Sequence, residues 1–152
     1  MCMAQKNVHP KDYESSKQLA QCFITKLADQ VKLPPEIHAS LKDLGKNLVG
    51  VIPGESKKVI FFLTQASQIL MVRLFLNKDQ LNETFFSSLK SALNELGMSN
   101  LFSTGICFKA EICVWEGVFE FDNESNFDKI QARLAKVSHV NRSKFEKFRL
   151  IE

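Results

Sequence analysis

Cys107 and Cys113 are the side chains best spaced for covalent chemistry, lying on either side of a short turn at Lys109-Ala110-Glu111. On facing strands they would be cross-strand neighbours, able to close a disulfide or supply half a metal site. The spacing is not that of a zinc knuckle, and the other two cysteines, Cys2 and Cys22, stand far away in the N-terminal third. Buried, small, apolar thiols are therefore the favoured reading, and no metal or cofactor is expected. His9, His38 and His139 are scattered, so neither a Cys-His nucleophile pair nor a metal cluster follows from their spacing. No GxSxG, HExxH or calcium-loop motif is present. Gly45 to Gly50 is followed by Val51-Ile52, where a phosphate loop needs Lys and Ser or Thr. Nothing nominates a catalytic residue.

Binding chemistry is better represented. Ser103-Thr104-Gly105 interrupts an apolar strand, and a strand glycine beside two hydroxyls lets a small polar molecule approach the backbone. Gly117 on the following strand opens the same space, and a bulge or kink is the structural alternative. Arg73 is the only charge in an otherwise apolar strand. It either holds a ligand carboxylate or pairs with Glu116 or Glu120 from the neighbouring strand. Arg73, Ser103, Thr104 and Gly105 are thus the candidate ligand positions.

A second possibility lies at the C-terminus, where Arg142, Lys144, Lys147 and Arg149 alternate with Phe145 and Phe148, a pattern suited to phosphate contacts and base stacking. From Lys109 to Asp128 the chain carries a charge of minus five, and from Lys129 to Glu152 plus five. Mutual neutralisation of these blocks is the favoured reading over a nucleic-acid surface.

The elements that must position these residues follow from periodicity. Leu19, Phe23, Ile24, Leu27 and Val31 recur at helical spacing between Asp12 and Val31, and a second helix is expected from Pro35 through His38, Leu41, Leu44 and Leu48. This gives an N-terminal helical hairpin. Val59–Leu63 and Ile69–Leu76 flank Thr64-Gln65-Ala66-Ser67 and read as a hairpin of two strands covered on both faces. Leu81, Phe85, Leu89, Leu93 and Leu96 mark a helix closed by Gly97. Leu101–Phe108 and Ile112–Phe121 form the next hairpin. In its second strand Cys113, Trp115, Gly117 and Phe119 face a core, while Val114, Glu116, Val118 and Glu120 form a partly wet face. A helix through Phe127, Ile130, Leu134 and Val137 and a last strand near Val140–Ile151 complete the chain.

Composition bounds the class. The 152 residues are 45% apolar and 24% charged, with a formal net charge of +3, as expected of a globular domain rather than a disordered or strongly basic one. The N-terminal stretch lacks the apolar run of a signal or anchor, and no run is long enough to span a membrane, so a cytoplasmic location is expected.

From Ile69 onward the order is βαββαβ, a ferredoxin-like unit. Residues 69–151 resemble an ACT-type regulatory domain in order and proportion, including the phrase Leu134-Ala135-Lys136-Val137-Ser138-His139-Val140 before a charged strand. The turn Asn77-Lys78-Asp79 differs from the Pro-Gly that many such domains carry beside their ligand. The expected protein is α+β, with a helical hairpin (1–56) on an antiparallel ferredoxin-like sandwich bearing one extra strand (57–152), in one compact unit. A non-catalytic regulatory domain that binds a small polar ligand is expected, and exposed sheet edges together with the many phenylalanines point to a homodimer. A protein-interaction subunit and a nucleic-acid binder are the alternatives.

Overall fold

The computed structural model describes residues 19–27, 33–54, 57–108 and 111–150. It is an α+β fold with two antiparallel sheets. The first sheet has the order β1 (Gln21–Lys26), β2 (Asn47–Ile52), β3 (Ile60–Thr64). The second contains β4 (Gln68–Asn77), β5 (Asn100–Phe108), β6 (Ile112–Glu120) and β7 (Arg142–Arg149), in the order β5-β6-β4-β7. Helix α1 (Pro35–Leu41) joins β1 to β2, α2 (Glu83–Leu96) joins β4 to β5, and α3 (Phe127–Ala135) joins β6 to β7. With its first and third strands central and its second and fourth at the edges, the four-stranded sheet is ferredoxin-like.

The two faces of this sheet are covered differently. Leu70, Val72, Leu74 and Leu76 of β4 meet Phe85, Leu89 and Ala92 of α2, Ile130 and Leu134 of α3, and Trp115 and Phe119 of β6. Ile69, Met71 and Val118 point the other way, into a second core with Cys22, Ile24, Val49 and Val51. The three-stranded sheet therefore lies over the face opposite the helices. Both faces of β4 are buried, as its continuous apolar run requires.

Helix α2 has local signals at both ends. The Asn82 side chain accepts from the Phe85 N–H, and Gly97 takes the left-handed conformation (φ 64°) that closes the helix. The helix through Ile130 and Leu134 is preceded by a 3-10 turn at Glu124–Asn126. Phe145 and Phe148, an odd number apart, lie on opposite faces of β7 and enter the two different cores.

The helical hairpin is corrected. Where a first helix is expected, the described residues form β1, and residues 12–18 and 28–31 of that span lie outside the described ones. Phe23, Ile24 and Thr25 are aromatic or β-branched, and Cys22 and Ile24 share an inner face once β1 pairs with β2. The second expected helix stops at Leu41, and Leu48 belongs to β2. Gly50 lies within β2, where the ring of Phe23 occupies the place that a Cβ would take.

Strand β3 does not form a hairpin with β4. Its register runs along β2, with Leu48 opposite Leu63 and Gly50 opposite Phe61, so three strands rather than one precede the ferredoxin-like unit. The Thr64–Ser67 segment is instead a corner between sheets. Thr64 Oγ1 donates to Glu120 (2.6 Å), the Ala66 N–H donates to Thr64 Oγ1 (3.0 Å), and Asn47 Nδ2 donates to the Ala66 carbonyl (2.8 Å). The partly wet face of β6 is corrected as well, since Val114, Glu116 and Val118 are fully buried: Val118 under the three-stranded sheet, Glu116 against Ala20, and Val114 in a smaller cluster with Leu19, Phe75 and Phe108.

Candidate functional site

Arg73 lies directly between Glu116 of β6 and Lys144 of β7, on the face that meets the three-stranded sheet. Its Nε donates to Glu116 (3.0 Å), Nη1 to Glu146 (3.2 Å) and Nη2 to the Ala20 carbonyl (2.7 Å). The Ala20 N–H in turn donates to both carboxylate oxygens of Glu116, each at 3.1 Å. Two buried side chains thus hold the backbone entering β1 through its amide and its carbonyl. Burial pushes the Glu116 carboxyl above its ordinary range, against the opposing pull of the Ala20 amide and Arg73. The neighbouring Cys22 thiol is pushed up to about 12, again chiefly by burial, which leaves it a poor nucleophile.

Ser103, Thr104 and Gly105 lie on β5, an edge strand, with Ser103 and Gly105 exposed. A Cβ on Gly105 would lie 2.8 Å from Leu81 Cδ2, and at Gly117 the rings of Trp115 and Phe119 occupy the space beside the backbone. Both glycines accommodate side chains of the chain itself. Cys107 and Cys113, directly opposite in the β5–β6 ladder, are joined by a disulfide rather than kept as two buried thiols.

The basic residues of β7 meet acidic and aromatic partners. Lys147 pairs with Glu124 (2.6 Å) and sits 3.8 Å from the centre of the Phe127 ring, while Arg149 approaches Glu124 at 3.6 Å. The hydrogen bond from Lys147 holds the Glu124 carboxyl below its usual range. Lys144 pairs with Glu146 (3.2 Å), and the Arg142 guanidinium lies over the Phe75 ring at 5.3 Å. Contacts between Glu124 and Lys147 and Arg149 bring the acidic and basic blocks of the last third together.

A different set of residues surrounds a cavity of about 520 Å³. Lys26 and Leu27 at the end of β1, His38 on α1, Lys42, Gly45 and Lys46 in the turn beyond it, Asn47, Ser67 and Leu150 form its wall. The site lies where the end of the three-stranded sheet meets the start of β4 and the segment after β7. The Leu27 N–H donates to the Lys46 carbonyl (3.2 Å), extending the β1–β2 ladder by one step. Gly45 lets the lysine turn lie against β3, because a Cβ there would be 2.6 Å from the Thr64 nitrogen. The Leu150 N–H donates to the Ser67 carbonyl (3.1 Å), which fixes the opposite wall. Among the described residues, three lysines and a histidine line this cleft and no carboxylate does.

None of the sequence-derived ligand positions lines the cleft. Its sequence signal is the four-residue step His38, Lys42, Lys46, beginning on α1; Lys26 joins them only through pairing of β1 with β2. No group of three or more potential metal-ligating side chains occurs among the described residues. No helix among them is long and apolar enough to cross a membrane.

No family model and no curated protein matches the chain. Several solved structures are similar in fold. The C-terminal domain of the MgtC protein from Mycobacterium tuberculosis is 8% identical and covers 58% of this chain and 95% of its own, with a TM-score of 0.44. A dimeric ferredoxin-like protein of unknown function from Thermobifida fusca is 18% identical over 59% of this chain and 96% of its own (TM-score 0.34). Prephenate dehydratase from Streptococcus mutans is 14% identical over 93% of this chain and 80% of its own (TM-score 0.41). Likeness at this level carries no information on function. The ferredoxin-like order, which the ACT resemblance implies, rests on the hydrogen-bonded topology of this chain.

Proposed function

We propose that this protein is a non-catalytic binding domain of the regulatory or sensing kind, and that its ligand is a small anion held in the lysine cleft. The observation that carries this reading is the convergence of Lys26, His38, Lys42 and Lys46 on one cavity whose lining, among the described residues, includes no acidic one. Its volume lies within the range of roughly 300–1,000 Å³ common among small-molecule sites. Arg73, the strongest alternative, has its guanidinium engaged by Glu116, Glu146 and Ala20, and Ser103–Gly105 lie along an edge strand with Ser103 and Gly105 exposed.

Homodimerisation belongs to the same proposal. Strands β5 and β7 are the two edges of the four-stranded sheet, and an edge strand is a natural site for a second copy to pair. The two sheets are proposed to unfold as one unit, since Ala20, Cys22 and Ile24 share a core with Ile69, Met71 and Val118.

Calorimetric titration with acetate, succinate and inorganic phosphate, at low and high ionic strength, tests the reading. Saturable binding is expected, weakening with added salt and falling by about tenfold in Lys46→Glu, as loss and reversal of one facing charge implies. Binding that Lys46→Glu leaves unchanged would move the ligand elsewhere.

A further inference from the structure

We infer that the cleft takes an amphiphilic anion, with a charged head and an apolar body, rather than a compact, wholly polar one; this rests on the anion-binding reading above. Charge and hydrogen bonding are unevenly distributed around the cavity. Its cations stand at the ends of long flexible side chains, whereas Leu27, Leu150, Gly45 and the methylene stems of Lys26, Lys42 and Lys46 supply aliphatic wall.

Several of the polar groups on the backbone side of the cleft are already engaged. Asn47 Nδ2 donates to the Ala66 carbonyl (2.8 Å), and the Ser67 N–H donates to Asp122 (3.2 Å). The Lys46 and Ser67 carbonyls accept from Leu27 and Leu150. A sugar body lying against Leu27 and Leu150 would recover only part of the hydration it surrenders, because a desolvated polar group needs a partner. An alkyl or aryl body loses nothing by that exchange and gains contact with Leu27 and Leu150. A single carboxylate or phosphate at its end meets the lysines at the rim. The surface around this wall has the same character, since Ile37 beside His38 and Leu44 beside Gly45 are 44% and 65% exposed.

The test compares octanoate below its micelle concentration with acetate, inorganic phosphate and octanol, titrated into the full-length protein. Octanoate is expected to bind about tenfold or more tightly than acetate or phosphate, because a few buried methylenes suffice for that ratio. Lys42→Glu and Lys46→Glu should each weaken octanoate by about tenfold, and Leu150→Ser should weaken octanoate while leaving acetate and phosphate as they were. The two lysine variants change surface charges, so they keep the test open if Leu150→Ser fails to fold. Acetate or phosphate binding as tightly as octanoate would overturn the amphiphile while leaving the anion site intact. Octanol binding as tightly as octanoate, or no binding by any of the three anions, would overturn the anion site itself.

Discussion

The two faces of the four-stranded sheet solve the same burial problem with different chemistry. Toward the helices, Leu70, Val72, Leu74 and Leu76 meet Phe85, Leu89 and Leu134, and among the described residues no buried charged side chain lies on that face. Toward the second sheet, Ile69 and Met71 alternate with Arg73, and Val118 with Glu116, so an ion pair lies inside the interface. A buried pair of this kind seldom adds net stability over apolar residues of equal volume, but it demands one partner geometry. Here the geometry includes both polar groups of Ala20. The difference assigns separate roles: the helix face supplies apolar burial without directional constraint, and the sheet face fixes where the N-terminal strand sits. Lys26 and Leu27 close that same strand and form part of the cleft wall.

The largest expected effect comes from breaking the polar contact. Glu116→Ala should destabilise the fold by about 3–5 kcal/mol, because it leaves Arg73 buried without its principal partner. Adding Arg73→Met should cost less than the sum of the two single changes, as coupled partners do, while Ala20 still loses its hydrogen bonds. Urea unfolding of the three variants measures this, and strict additivity would deny the coupling.

Matched truncations sharpen the comparison further. Ile24→Ala on the sheet side and Leu89→Ala on the helix side should each cost roughly 2–5 kcal/mol within a single unfolding transition. A cost well under 1 kcal/mol for Ile24→Ala, or a separate early transition, would make the three-stranded sheet an appendage.

The smallest effect is a dependence on pH. The folded-state pKa of Glu116 is raised, so its protonated form is favoured by folding and its contribution declines as pH rises from the ordinary value near 4.5 through the raised one. The stability of the native chain minus that of Glu116→Gln should therefore fall over that interval. A difference that instead grows with pH would mean that Arg73 lowers the carboxyl more than burial raises it.

How much of this was legible in the sequence follows the same division. Helix α2 is marked by Asn82 and Gly97 and by an apolar face that repeats within the helix itself, so its limits are local information. The β5–β6 hairpin and the inner face carrying Trp115 and Phe119 are likewise set by alternation along neighbouring strands. Strand β1 is different. Leu19, Phe23, Ile24 and Leu27 fit a helical stripe as well as they fit a strand, and pairing with residues 47–52 decides between them. The apparent wetness of Glu116 arose in the same way, since nothing near it in sequence announces the sheet that covers it. The Arg73–Glu116 pair could be anticipated as a structural alternative because both residues sit on adjacent strands. The lysine cleft could not, because its wall draws on residues from position 26 to position 150.

The measurement that tests the account most directly is a two-dimensional 15N–1H NMR titration of the full-length protein with octanoate. Amide shifts concentrated at Lys26, Leu27, Lys46, Asn47 and Ser67, with Ser103, Thr104 and Gly105 unmoved, are the expected result. Shifts concentrated along Ser103–Gly105 would contradict it and return the ligand to the open edge of β5.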